Sequence, residues 1–293
     1  MKTAVLFVLS AVFAFGAVEG TVQNLTTGKP QAGVAITLVE LSGGMNNVGT
    51  VRSDAQGKFR FPTESKPQTP YLVQALHQGV TYNKMLSAGR AETAEEIQIY
   101  DASSNAPNAK VTQDMILLER TGDQLVINET VVFTNSGQIT LQDPSGTLKF
   151  QTPPQVTGPI RMRITGPQSV PLTREAEKGS APNTWLVQFP IKPGDTRMDL
   201  TYSIPATGEA PKFAGRILHS GGPVRFVAPQ GIKLESAVLT DLGPEPRTKA
   251  TVYELKGNTF DIAVSGTGQL RAAANETTPN SGEASPEASD TPG

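Results

Sequence analysis

The sequence predicts an all-β protein, built as an N-terminal sandwich of seven short strands, a larger antiparallel β domain and a disordered C-terminal tail. Three observations predict it. Apolar and polar residues alternate in short runs along most of the chain, the period of a strand with one buried face. Gly 28 and Pro 23 are spread through the 293 residues and punctuate those runs. No long segment carries a helical period.

The elements follow in order. Lys2 precedes an apolar run from Ala4 to Phe15, and Ala14-Phe15-Gly16 offers the small residues a signal peptidase reads. Residues 1–16 therefore read as a signal peptide cut before Ala17, with Ala17–Gly20 as the range. An uncleaved N-terminal anchor is the alternative. From 17 to 104 the strand candidates are Gly20–Asn24, Val34–Leu41, Val48–Ser53, Lys58–Phe61, Tyr71–His77, Val80–Met85 and Ile97–Asp101. Val34, Ile36 and Leu38 share one face, which should meet an opposing sheet. Asp54-Ala55-Gln56-Gly57 and Gln78-Gly79 read as tight turns, with Gly57 at positive φ. Residues 102–108, Ala-Ser-Ser-Asn-Ala-Pro-Asn, read as a linker.

A second β domain is expected over 109–270. Its candidates are Met115–Leu118, Leu125–Phe133, Leu148–Phe150, Ile160–Ile164, Trp185–Phe189, Met198–Ile204, Val224–Val227, Ala237–Leu242, Thr251–Leu255 and Phe260–Val264. Trp185, Val187 and Phe189 fall on one face, and Asn135-Ser136-Gly137 and Ile191-Lys192-Pro193-Gly194-Asp195 are turns. One domain, or two divided near Gly208–Phe213, both fit this stretch. Residues 272–293 hold no apolar side chain larger than Ala, so burial cannot offset the ordering entropy. An extended acidic tether or a plain solvated tail both fit that stretch.

Composition narrows the function. The net charge of −2 and pI near 5.8 disfavour a nucleic-acid partner, which would need a basic surface. Cysteine is absent, which excludes disulfides, thiolate metal sites, a Cys nucleophile and lipidation of an N-terminal Cys. No later segment reaches the roughly 20 apolar residues of a membrane span, so no transmembrane segment is expected after signal cleavage. An exported protein without disulfides fits the periplasm, the cell surface or the medium of a bacterium. The Asn-x-Thr matches at Asn24, Asn128 and Asn275 are then chance.

Catalytic and metal chemistry find little support. The histidines are His77 and His219. His219-Ser220 invites a hydrolase reading, but neighbours on an extended chain face opposite sides, and no Gly-x-Ser-x-Gly elbow occurs. Asp54 lacks the other carboxylates of a calcium loop. Glu92, Glu95 and Glu96 read as a solvated edge rather than a glycosidase pair. No catalytic residue, cofactor or metal is expected. Among the aromatics, Tyr71, Tyr82, Tyr100, Trp185, Tyr202 and Tyr253 mostly hold strand positions suited to packing. Tyr82, beside Asn83 and Lys84, is the best candidate for an exposed ligand-binding ring.

Gly20-Thr-Val, the Gly28-Lys29-Pro30 turn leading to Gly33-Val34, and Asp54…Gly57-Lys58-Phe59-Arg60-Phe61 occur in this order. The order resembles the carboxypeptidase regulatory-like domain over about Val18 to Tyr100. That resemblance implies a transthyretin-like sandwich serving as an accessory module, without catalytic residues. Pro67-Gln68-Thr69-Pro70-Tyr71 departs from the family's usual Pro-Gly-x-Tyr. The segment from Tyr71 to Tyr82, and Pro190–Gly194, are similar to exported bacterial proteins that join this domain to a further β region. Related sandwiches are grouped with starch-binding-like folds, which raises sugar as a ligand by analogy alone. The expected function is thus a non-catalytic binding or scaffolding module of the bacterial envelope, its partner an envelope protein or a glycan. The alternative is a carbohydrate- or peptidoglycan-binding protein, with a hydrolase behind both.

Overall fold

A computed structural model describes residues 17–64, 66, 68–86 and 95–270. The signal at 1–16, Glu92 and the tail at 272–293 lie outside the described residues. Among the described residues every regular element is a strand, so the all-β class read from the alternation is the class observed. No helix there is long and apolar enough to cross a membrane.

The first nine strands are β1 (Ala17–Asn24), β2 (Lys29–Pro30), β3 (Ala35–Glu40), β4 (Asn46–Arg52), β5 (Lys58–Glu64), β6 (Tyr71–His77), β7 (Val80–Leu86), β8 (Glu95–Ile99) and β9 (Asp101–Ser103). β1 pairs antiparallel with β2 and β5 and parallel with β8, while β4-β3-β6-β7 form a second, antiparallel sheet. Alternation puts Val18, Val22, Phe59, Phe61, Ile97 and Ile99 of one sheet against Ile36, Leu38, Val73, Ala75 and Tyr82 of the other. Each such side chain stabilises the fold by about 1.5–3 kcal/mol when fully buried. Gly57 has φ +73°, and a Cβ there would stand 2.7 Å from the Val22 carbonyl oxygen, so glycine is required both by conformation and by space. Asp54 Oδ1 closes the same turn by accepting from the amides of Gln56 and Lys58 at 2.9 and 2.8 Å. This is turn chemistry, not a cation loop.

The second region comprises β10 (Ala109–Thr121), β11 (Gln124–Asn135), β12 (Ile139–Leu141), β13 (Leu148–Gln151), β14 (Thr157–Thr165), β15 (Leu172–Glu175), β16 (Glu177–Lys178), β17 (Thr184–Val187), β18 (Gly194–Pro205), β19 (Lys212–Arg216), β20 (Val224–Ala228), β21 (Ile232–Glu235), β22 (Leu239–Pro244), β23 (Thr251–Leu255) and β24 (Thr259–Gly266). An eight-stranded sheet runs β15-β14-β18-β11-β10-β20-β23-β22, parallel only between β10 and β20. Two three-stranded sheets, β13-β17-β16 and β19-β24-β21, contribute Phe150, Val187, Phe213, Leu234, Phe260 and Ile262 to the same core as Ile116, Ile127, Leu200 and Phe226. Phe213 belongs to this single cluster, so the core is continuous across the Gly208–Phe213 stretch.

Several expectations need adjusting. Residues 102–108 are not all linker. Ala102 and Ser103 belong to β9, which pairs in parallel with β12 through Asp101↔Ile139 and Leu141↔Ser103. A partner strand 38 residues downstream supplied the hydrogen bonds that a small polar stretch could not supply alone. The expected Ile97–Asp101 strand is split at Tyr100 into β8 and β9, which pair with different partners. β2, β12, β15, β16, β19 and β21 were not anticipated; each is short, and all but β12, which pairs with the equally short β9, lie against a longer neighbour.

Candidate functional site

The chemistry of the molecule gathers at two places: the seam between the β regions, and a small acidic cavity under the large sheet. The seam is continuous at the backbone. Beyond the β9–β12 pair, Gln142 N donates to Ser103 O at 2.9 Å, and within the second region Leu141 and Ile191 exchange amide hydrogen bonds at 3.0 and 2.9 Å that hold β12 in place. Asn135 caps the turn that delivers β12. Its Nδ2 donates to the carbonyls of Ile139 and Ile191 at 2.7 and 3.0 Å, and its Oδ1 accepts from Gly137 N. Thr26 Oγ1 donates to Gln138 O and accepts from Asp101 N.

Lys192 is the centre of this seam. It was expected in a turn, yet it is 2% exposed. Its ammonium donates to Thr81 O at 2.5 Å, Gln168 O at 2.8 Å and Ser169 Oγ at 2.9 Å, and lies 4.9 Å from the centroid of the Tyr82 ring. Three donors meet three acceptors, with a ring face on the remaining side. No carboxylate joins this set, and burial lowers the Lys192 pKa to about 8. Asn83 reinforces the contact, its backbone N and its Nδ2 both donating to Gln168 O at 3.0 and 3.1 Å.

Tyr82 was expected to be an exposed ring, and the structure overturns that expectation. It is 0% exposed. Its hydroxyl donates to Tyr100 O at 2.7 Å and accepts from the Thr140 hydroxyl at 2.8 Å, across the seam. Burial pushes the phenol up to about 12. The ring's face is covered by Lys192, so it offers no platform to a ligand from solvent. The neighbours Asn83 and Lys84 suggested a wet strand because the second region that covers this edge is far away in sequence.

His77 and His219 are 142 residues apart in the chain and each holds its own aspartate. His77 Nε2 lies 2.8 Å from Asp101 Oδ1, which also accepts from Asn24 Nδ2 at 2.8 Å. These bonds, His77's first, hold the Asp101 carboxyl below its ordinary range. The same contact explains Asn24, whose side chain is buried and structural.

His219 closes the acidic cavity. A β-bulge between Val111 and Gln113 shifts the alternation of β10 and turns Asp114 inward. Asp114 is 0% exposed and lies 2.9 Å from His219 Nε2 through Oδ2. Ile116 faces Glu129 across the β10–β11 pair, which makes Asp114 and Glu129 diagonal neighbours on the inner face. Tyr202 of β18 stands diagonal to Glu129 in turn. Burial raises the Glu129 pKa well above the carboxylate range, and the Asp114 charge adds to it. Burial also raises Asp114, against the opposing pull of His219. Asp114 Oδ1 and His219 Nδ1 are buried with no hydrogen-bond partner. The space beside Glu129, Tyr202 and His219, lined also by Phe260, Lys149 and Arg216, is about 10 Å³, room for one water.

His219 and Ser220 do not form a nucleophile–base pair. An aspartate orients His219, but no hydroxyl occupies its other nitrogen, and Ser220 makes no bond to it. No set of three or more His, Cys, Asp or Glu side chains suited to a metal occurs among the described residues. Sequence reading singled out His219 but had no means of pairing it with Asp114, 105 residues away. The bulge that turns Asp114 inward leaves no sequence signature. No protein-family model matches the chain, and no curated protein matches it.

Proposed function

We propose that the protein is a non-catalytic binding or scaffolding module exported to a bacterial envelope, its two β regions held as one rigid body. The observation that carries this reading is the Lys192 seam. A buried cation bonded across the joint, a parallel strand pair and the Tyr82–Thr140 bond fix the relative orientation of the two cores. The joint is occupied by the buried side chains of Lys192 and Tyr82. A rigid body of two sandwiches presents loops and strand edges at fixed spacing.

The carboxypeptidase regulatory-like resemblance supports the accessory character of the first region, and the apolar run of Ala4–Phe15 supports export. Two experiments test the reading. Fractionation of cells expressing a tagged chain should recover it outside the cytoplasm. Turnover of a panel of ester, peptide and glycoside substrates should be absent; activity lost on His219→Ala would replace the reading with a hydrolase.

A further inference from the structure

Trp185 is the single tryptophan of the chain, and its indole is fixed on the second region. It stands on β17 between Phe150 of β13 and Lys178 of β16. It packs partly against the core, and Nε1 donates to the buried Thr152 hydroxyl at 3.0 Å. That bond fixes the ring plane. Beside it opens a cleft of about 440 Å³, within the roughly 300–1,000 Å³ range of small-ligand sites. Pro153, Pro154 and Pro159 line it with Trp185, and Glu175, Lys178 and Asn183 are among the polar residues of the lining. The Lys178 ammonium lies 5.9 Å from the indole centroid.

This combination selects a ligand chemistry. Proline walls lack amide donors and are stiff. A fixed flat ring offers apolar surface to a ligand with an apolar face. Carboxylate, amide and ammonium groups around that ring offer both acceptors and donors to a ligand rich in hydroxyls. A phosphate is disfavoured, because the cleft's one lysine shares the lining with a glutamate. A purely apolar ligand would desolvate those charges without return. A proline-rich peptide would need several aromatic ridges, and the cleft has one ring.

We propose that this cleft binds a pyranosyl oligosaccharide, one sugar stacked by its C–H face on Trp185 and its hydroxyls bonded to Glu175 and Asn183. The proposal rests on the binding reading above and gives it a ligand class and a place. The lone tryptophan makes the test direct. The full chain is titrated with hexasaccharides of α-1,4-glucose, β-1,4-glucose and β-1,4-N-acetylglucosamine while tryptophan emission is followed, with calorimetry in parallel. At least one should give a saturable change, and Glu175→Ala or Asn183→Ala should weaken it about tenfold each, as loss of a charged or paired hydrogen bond does. Trp185→Phe should bind more weakly and Trp185→Ala not at all. Both Glu175 and Asn183 are exposed, so their variants test the cleft even where Trp185→Ala fails to fold. The proposal is overturned if no hexasaccharide saturates below roughly 10 mM, if the Glu175 and Asn183 variants bind unchanged, or if a polyproline peptide alone shifts the emission. A failure here, with export and absence of turnover intact, removes the glycan and leaves the scaffold reading standing.

Discussion

The two β regions bury different things. Among the described residues of the N-terminal sandwich the buried polar side chains are Asn24 and Ser53, both neutral, and the core is otherwise apolar. The second region buries Asp114, Glu129 and Lys192. These charges are treated unequally. Lys192 has an acceptor for every donor, while Asp114 retains an unpartnered oxygen and Glu129 sits beside a second carboxylate. The difference teaches that the second region is not simply a larger copy of the first. It spends buried polarity on fixing the seam, and it tolerates strain in the acidic cavity.

Substitutions break this comparison, the largest expected effect first and the smallest last. Tyr82→Ala removes a fully buried ring from the seam and should cost about 4 kcal/mol in urea unfolding, as large-to-small aromatic changes do. Tyr82→Phe, which keeps the packing and loses the Tyr100 and Thr140 bonds, should cost about 1–2 kcal/mol. Lys192→Ala should cost about 3 kcal/mol, since Thr81 O and Ser169 Oγ lose their donor and the stem leaves a void. Its penalty carries a pH signature. The folded pKa near 8 lies below the ordinary 10.5, so between those values the unfolded chain holds more protons. Stability from Lys192 therefore rises with pH across that window, and the gap between the parent and Lys192→Ala should widen from pH 8 to 10.5.

Gly57→Ala tests the apolar sandwich alone. Positive φ and the Val22 carbonyl at 2.7 Å predict a loss of about 2 kcal/mol in denaturant melts, with no change in the pH profile. Glu129→Gln should be the smallest change and the opposite in sign. A carboxyl raised in the folded state holds its proton where the unfolded chain has lost it, so its contribution falls as pH rises from the ordinary 4.5 towards the folded value. The amide, neutral throughout, should gain about 1 kcal/mol at pH 8 and flatten that slope, read as melting temperature against pH.

Local patterns in the sequence were enough to recognise the strands and turns whose determinants are local. Val34, Ile36 and Leu38 alternate, and Gly57 and Gln78-Gly79 carry their turns in their own residues. Trp185, Val187 and Phe189 do share a face towards the core. What local pattern could not carry was anything decided by a distant partner. Ala102 and Ser103 became a strand because Thr140 and Leu141 pair with them. Lys192, in a Pro-Gly turn, was drawn under Tyr82 by carbonyls from Thr81 and Gln168. Asp114 turned inward by a bulge, and so met His219. The candidate sites are built from such long-range contacts, which is why sequence singled out Tyr82 and His219 but found neither their partners nor their arrangement.

The seam is the central claim, and calorimetry of the full chain tests it most directly. If Lys192, Tyr82 and the β9–β12 pair lock the two cores, the parent should unfold in one transition whose van't Hoff and calorimetric enthalpies agree, and Lys192→Ala should separate it into two. Two independent transitions in the parent, unchanged by Lys192→Ala, would contradict the account.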